Sequence, residues 1–326
     1  MGKINSGEKG NVHKNAHNES VKHEPSPSHS KSLGLKEKLH SIYVKDYKKL
    51  MIIPNLLLFL SFAVLFFNLF TTGQFIEKGV SIQGGVSITV ISKTLQSSDV
   101  ETFLKQSFPK ADVETKTLSG AGEQIGLIIE ASDVTADELL QKLTSQYGIS
   151  KNDYTAEVTG SKLGNSFYNQ LIIAVIIAFI LMAIVVYIYY RMFVPSFAII
   201  LAAFSDMITT LAIISLLGVK LTTAGIAALL MLIGYSVDTD ILLTTRVVKR
   251  KEGTIDERIF GAFKTGMTMS AAAIATTVVA LTLSHSDTLK QIMIILLIGL
   301  LADIIYTWIQ NAGLLKWYME KHHDKK

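Results

Sequence analysis

The chain has 326 residues, a formal net charge of +4, 49% hydrophobic residues and no cysteine. Its mean hydropathy of +0.38 averages two unlike populations: six apolar runs of about 17–24 residues, long enough to cross a bilayer core, and charged segments between them. That pattern excludes a soluble globular enzyme or a nucleic-acid-binding protein, and the missing cysteine excludes disulfides, zinc-thiolate sites and thiol chemistry.

Residues 1–49 are polar and rich in Lys, Ser, Asn and His. Residues 1–32 carry almost no apolar side chains and are expected to be a largely disordered basic tail, with 33–50 suited to an amphipathic juxtamembrane helix. His13, His17, His23, His29 and His40 are irregularly spaced, without a carboxylate or thiolate pattern, and do not read as a metal site.

The first span is placed at 50–70, with Pro54 and Asn55 near its start, which a membrane helix tolerates. Residues 74–166 return to soluble character. Five spans follow closely, at 167–190, 195–217, 221–244, 266–283 and 289–309, and a charged tail occupies 310–326. Arg191, the basic run from Arg246 to Lys264, both termini and Lys316 collect on one side of this stack. The positive-inside rule makes that side cytoplasmic, with both termini inside and 74–166 outside. The outer segment has eight lysines against twelve acids, as suits a translocated domain.

Within it, 85–91 alternates as a half-buried strand, and 97–108 presents Val100, Phe103, Leu104 and Phe108 at helical spacing with Ser97 and Ser98 as candidate caps. Two strands at 111–118 and 124–131 flank a glycine turn at 120–122. A helix over 135–147 places Leu139, Leu140, Leu143 and Tyr147 on one face, with Gly148 as its C-cap, and 154–160 is the last strand. The fold expected is a polytopic α-helical membrane protein of six transmembrane helices, with an extracytoplasmic α+β domain of ferredoxin-like βαββαβ order between helices one and two. Gly79, Gly84 and Gly85, at its entrance, read as a bulge or tight bend of the first strand.

No phosphate-cradling loop and no catalytic constellation stands out. The informative residues are acids inside spans: Asp206 in span three, Asp238 and Asp240 in span four, and Asp303 in span six. A charge near the bilayer centre costs at least ~2.5–3.5 kcal/mol, so these acids mark an ion or proton pathway or serve as interhelical hydrogen-bonded packing groups. Asp206, Asp238 and Asp303 fall at similar depth. Span five adds the hydroxyls Thr268, Ser270, Thr276 and Thr277, so a polar pocket among spans three to six is expected. Two residues apart is ~200° around a helix, so Asp238 and Asp240 face different ways. Asp238 is favoured for the pocket, and Asp240 for a second cavity or a partner subunit. Around Asp303, Tyr306, Thr307, Gln310 and Asn311 form a polar face.

One span, an outer domain and five clustered spans is the layout of a half-unit of the resistance–nodulation–division transporter superfamily. The stretch Gly79-Val80-Ser81-Ile82-Gln83-Gly84-Gly85 looks like the motif G-[IV]-D-F-x-G-G, and Ser205-Asp206 with Thr209 looks like an H-D motif in span three. Most specific is Gly234-Tyr235-Ser236-Val237, followed by acids and Arg246, which is similar to G-Y-S-[IV]-N-D-T…R. On these motifs, residues from about 50 to 313 resemble the SecD/SecF protein-export family, in its archaeal branch. Where that last motif has Asn-Asp-Thr, this chain has Asp238-Thr239-Asp240. Ser205 stands for the histidine, and Lys264 is the nearest counterpart of a span-five arginine.

The resemblance implies a non-enzymatic accessory subunit of the Sec translocase in the cell membrane, without cofactor or metal, promoting late export of polypeptides with the proton motive force. It implies a heterodimer with a SecD-like subunit, and contacts with the Sec translocation channel, the exported polypeptide and the lipid membrane, but not nucleic acid. Asp206, Asp238, Asp240 and Asp303 would carry the ion, supported by Ser205, Thr209, Tyr235, Ser236, Thr268 and Ser270, and Gly79, Gly84, Gly85 and Gly234 would be motif glycines. The alternatives are a small-molecule or lipid transporter of the same superfamily and a non-transporting scaffold.

Overall fold

The computed structural model describes residues 46–120, 123–150, 153–159, 161–284 and 286–323. The histidine-containing tail, most of the juxtamembrane segment and the tip of the 120–122 turn lie outside these residues. Among the described residues, six helices are long and apolar enough to cross a membrane: Tyr47–Thr72, Tyr168–Tyr190, Phe193–Leu216, Thr223–Lys249, Ile255–Leu283 and Thr288–Lys321. The chain is a multi-pass membrane protein with a small sheet domain between its first and second spans.

The first span is α1 (Ile52–Thr72), and Gly73 stops it in the left-handed region at φ 74°, its N–H bonding the Leu69 carbonyl. After a helical turn at Val80–Gln83, the outer domain runs β1 (Gly85–Val90), α2 (Ser97–Ser107), β2 (Val113–Gly120), β3 (Glu123–Ala131), α3 (Ala136–Tyr147) and β4 (Tyr154–Thr159). The sheet order is β2-β3-β1-β4 and every pair is antiparallel, with Ile88 opposite both Ile129 and Ala156. Both helices cover one face, where Val100, Leu104, Leu139 and Leu143 meet Val86, Ile88, Leu127 and Ile129. Thr135 and Glu138 form a capping box on α3, and Gly148 ends it at φ 66°. Ser97 and Ser98 are not caps: the N-cap of α2 is Gln96, whose side chain makes no cap bond, and both serines lie in the first turn.

The glycines at the entrance divide: Gly84 and Gly85 make a bend at the start of β1, and Gly79 does not. The ladder of β1 is continuous against both neighbours, and the register shift in the sheet lies between β2 and β3, where Leu118 pairs Gly126, Ser119 pairs Gln124 and Ile125 is skipped. Gly84 and Gly85 have φ of 88° and 153° and turn the chain into β1. Gly79 instead permits a close approach. Its N–H bonds the Leu221 carbonyl at 2.9 Å, the Leu221 N–H bonds the Glu77 carbonyl at 2.8 Å, and an added Cβ would lie 2.9 Å from Thr222 Cγ2. This clip joins the root of the outer domain to the loop between spans three and four. Lys220 in that loop pairs with Asp112 of the outer domain, and Gln291 donates to the Lys220 carbonyl at 2.6 Å.

The remaining spans are α4 (Ser161–Tyr190), α5 (Phe193–Leu216), α6 (Thr223–Thr244), α7 (Ile255–Leu283) and α8 (Asp287–Ile305). Their faces are set by packing: α5, α6 and α8 contact one another at the centre, α1 and α4 lean on α5, and α7 leans on α8 and α6. Two ends differ from expectation. α7 begins eleven residues before 266, because Thr254 and Glu257 build a capping box ahead of a charged first turn that hydropathy alone rejects. The last span passes 309 through a π-helical turn (Tyr306–Asn311) into α9 (Ala312–His323), burying Gln310 and Asn311 on the way.

Two measurements test these attachments. Gly79→Ala lowers stability by about 1–3 kcal/mol through overpacking against Thr222, read as a drop in the thermal midpoint. Adding Thr222→Ser, which deletes the clashing methyl and keeps the capping hydroxyl, restores most of it. In the outer domain, the Thr135 hydroxyl and N–H hold the Glu138 carboxyl below the usual carboxylate range. The resulting stabilisation is present above the ordinary glutamate value of ~4.3 and is lost as pH falls through the lowered one. Hydrogen exchange of the α3 amides in the full chain therefore accelerates in acid, and Glu138→Gln removes that dependence.

Candidate functional site

Three of the four intramembrane acids come together. Asp206 of α5, Asp240 of α6 and Asp303 of α8 are buried to 1% exposure or less where those helices meet. On α6 the inward stripe runs Leu229, Leu232, Ile233, Ser236, Val237, Asp240 and Thr244, at helical spacing. The helices approach closely here: a Cβ on Gly299 of α8 would lie 2.4 Å from Leu232 carbons of α6.

The stripe that buries Asp240 turns Asp238 outward. Asp238, Gly234 and Tyr235 are exposed on the opposite side of α6. The assignment of the two acids is therefore reversed from the sequence expectation: Asp240 faces the pocket and Asp238 the surface of the bundle. The reason is helix phase, fixed by apolar residues seven to eleven positions earlier in α6.

Hydroxyls and one amide tie the acids together. Ser236 donates to Asp206 Oδ2. Thr239 Oγ1 lies 3.1 Å from Asp303 Oδ2 and 2.9 Å from the Ser236 carbonyl. Thr307 Oγ1 lies 2.9 Å from both Asp240 Oδ1 and Asp303 Oδ1, and Asn311 Nδ2 donates to Asp240 Oδ1 at 2.7 Å. A hydroxyl carries one proton. Thr307 can donate to only one of its two carboxyls, so the second contact is a hydrogen bond only when that carboxyl supplies the proton. The arrangement can pass a proton between Asp240 and Asp303 with no movement of heavy atoms.

The supporting residues divide. Thr209 shares a 2.7 Å hydrogen bond with Tyr306 Oη, and Ser61 of α1 reaches Thr209 at 3.1 Å. Ser205 is buried but spends its proton on the Leu201 carbonyl at 2.7 Å. Thr268 and Thr276 are exposed and bond the carbonyls of Lys264 and Ala272. Thr277 bonds the Ala273 carbonyl, and Lys264 is exposed. Span five thus offers the pocket little beyond Ser270, which is 2% exposed. Thr239 and Ser61 were not anticipated, although Thr239 stands three residues after Ser236 on the same face, the spacing that marks neighbours on a helix.

Five buried hydroxyls in the spans, those of Ser61, Ser196, Ser205, Thr210 and Thr277, donate to the carbonyl four residues earlier. Thr244 and Ser270 do not. Their hydroxyls, with Asp206 Oδ1, Asp240 Oδ2 and Asn311 Oδ1, are buried without a hydrogen-bond partner among the described residues. Leu243, Ala262 and Trp308 share one cluster, and a Cβ on Gly266 would strike Trp308. About one turn toward the outer domain from that level lie Asp240, three residues before Leu243, and Ser270, four after Gly266. Outside the pocket, Arg246 clamps α6 to α7 through the Gly261 carbonyl and Thr265 Oγ1.

Residues 139–321 match the family described as protein export membrane protein SecD/SecF, C-terminal. The protein-export membrane protein SecF of Methanocaldococcus jannaschii is 42% identical over 87% of this chain and 99% of its own length. The chain belongs to the SecD/SecF family of protein-export membrane proteins. The SecF of Pyrococcus furiosus is 36% identical over 90% of the chain and 98% of its own length. The crystal structure of SecDF, a translocon-associated membrane protein from Thermus thermophilus, superposes with a TM-score of 0.65 at 18% identity. That match covers 83% of this chain and 38% of the longer SecDF chain, and shows a shared fold.

Thr307→Val removes the shared hydroxyl, leaving Asp240 Oδ1 with the Asn311 amide alone and Asp303 Oδ1 with only the 3.3 Å contact of Thr239. It costs about 1–3 kcal/mol of stability, measured as a lower thermal midpoint, and Thr307→Ser, which keeps the hydroxyl, recovers most of the loss.

Proposed function

We propose that this SecD/SecF-family chain is an accessory subunit of the Sec protein-export machinery, and that proton movement through Asp206, Asp303 and Asp240 biases its outer domain during late stages of export. The observation that carries the proton part is the Thr307 hydroxyl, set 2.9 Å from two carboxyls on different helices. Three acids in a low-dielectric pocket, with no salt-bridged cation among the described residues, are costly as charges and tolerable as a shared set of protons. One proton crossing 100 mV releases about 2.3 kcal/mol, so a few per cycle suffice to move a domain.

The partner in this reading is a SecD-like subunit. One family description covers SecD and SecF together, and the SecDF chain is more than twice as long as the part this chain matches. Two half-units related by an axis along the membrane normal would form the working transporter-like unit, beside the Sec channel and the emerging polypeptide. The basic loops support a cytoplasmic position for both termini and an outer one for 74–166. The β-α-β-β-α-β order and the β2-β3-β1-β4 sheet support a ferredoxin-like assignment for that domain. Its single four-stranded sheet is too small for the multi-lobed porter of a small-molecule exporter.

The test is polypeptide export into membrane vesicles with an imposed proton gradient, with co-purification of the partner as a check on assembly. Asp240→Asn is expected to lose the gradient-stimulated part of the rate while still assembling, and Asp238→Asn to keep it. Gradient stimulation that survives Asp240→Asn and Asp303→Asn together would leave the acids as packing groups and favour a scaffold.

A further inference from the structure

We propose that the cavity between α1 and α4 binds a membrane lipid, an acyl chain filling it and the anionic headgroup of a glycerolipid meeting Lys78 at its mouth. The cavity holds about 560 Å³, within the ~300–1,000 Å³ of small-molecule sites. α1 and α4 both pack on α5, and the space between them is walled by Phe62 and Phe66 of α1, Ile172 of α4, Leu211 of α5 and Leu229 of α6. It lies in the half of each span nearest the outer domain, and its rim is the connection Gly73, Gln74 and Lys78, where the chain leaves α1.

The walls choose the class of occupant. They are hydrocarbon and aromatic, and offer an extended or helical peptide almost no backbone partners. An acyl chain has no polar group to satisfy and is the surrounding solvent of these helices. The rim chooses the headgroup. Among the described residues Lys78 is the one cation lining the cavity, and its Nζ stands 4.0 Å from the centre of the Tyr168 ring. A face-on aromatic holds the ammonium in place and leaves its N–H bonds for a phosphate. No described carboxylate forms a salt bridge with Lys78.

The position gives the lipid a structural role. α1 and α4 are the two spans between which the outer domain is inserted, and Lys78 itself bridges to Leu221 in the clip that roots that domain. A chain in the gap is a spacer between the two stalks.

The complex with its SecD-like partner, reconstituted in nanodiscs of equal parts phosphatidylglycerol and phosphatidylcholine, is released and examined by native mass spectrometry. The expected result is retained phosphatidylglycerol in preference to phosphatidylcholine. Lys78→Gln lowers that preference about fivefold, the factor for one basic residue at an anionic surface. Leu211→Trp and, separately, Ile172→Phe fill the cavity and release the lipid from an intact complex. Retention that is equal in the native and both cavity-filling forms would overturn the site. Retention without headgroup preference, unchanged in Lys78→Gln, would overturn the role of Lys78. Lipid retained by the chain alone but absent from the complex would assign the cavity to a partner helix and likewise overturn the proposal.

Discussion

Buried carboxyls dictate the arrangement of this membrane core. In a bilayer, each polar group must be satisfied from within the protein, and three acids at one depth demand donors from every helix that reaches them. Ser236 and Thr239 answer from α6, and Thr307 and Asn311 from the turn after α8. Thr209 and Tyr306 close the next layer and bring in Ser61 of α1. The central position of α5, α6 and α8 follows. These helices carry the acids and their donors, so they pack against one another, while α1, α4 and α7 keep apolar faces for lipid.

The same helices lead to the outer domain. α5 ends and α6 begins at the loop that carries Lys220, Leu221 and Thr222, and each of these residues has a task at the boundary. Lys220 pairs with Asp112, Leu221 exchanges backbone hydrogen bonds with Glu77 and Gly79, and Thr222 caps α6 while donating to Gln291. The two helices that meet at the acids thus share a loop held by side-chain and main-chain bonds to the sheet domain. The outer domain is fastened to the α5–α6 loop of the core as well as suspended from α1 and α4.

Much of this was legible in the sequence, and the exceptions have physical causes. Spans, outer-domain order and the Gly148 cap could be read because hydropathy, periodicity and capping residues are local signals. The start of α7 was missed because the capping box at Thr254 precedes charges that a hydropathy window penalises. The orientation of Asp238 and Asp240 was missed for a deeper reason. In a span that is apolar all round, polarity does not set the helix phase. The phase of α6 comes from contacts with α5 and α8, such as Leu232 against Gly299, which are three-dimensional facts. Gly79 shows the same limit: its motif was visible, but the loop it meets lies some 140 residues further along the chain.

The π turn at Tyr306–Asn311 bears on the geometry of the donors. Positions eight apart in an α-helix are about 80° out of line, since each residue advances ~100°. Asp303, Thr307 and Asn311 are spaced by four and four, and in a regular helix Asn311 would have rotated off Asp240. A π turn takes more residues per revolution, so each advances through a smaller angle and the accumulated offset is removed. The last span thereby presents acid, hydroxyl and amide as one straight file instead of a spiral, and a single neighbouring helix can be addressed along its whole length.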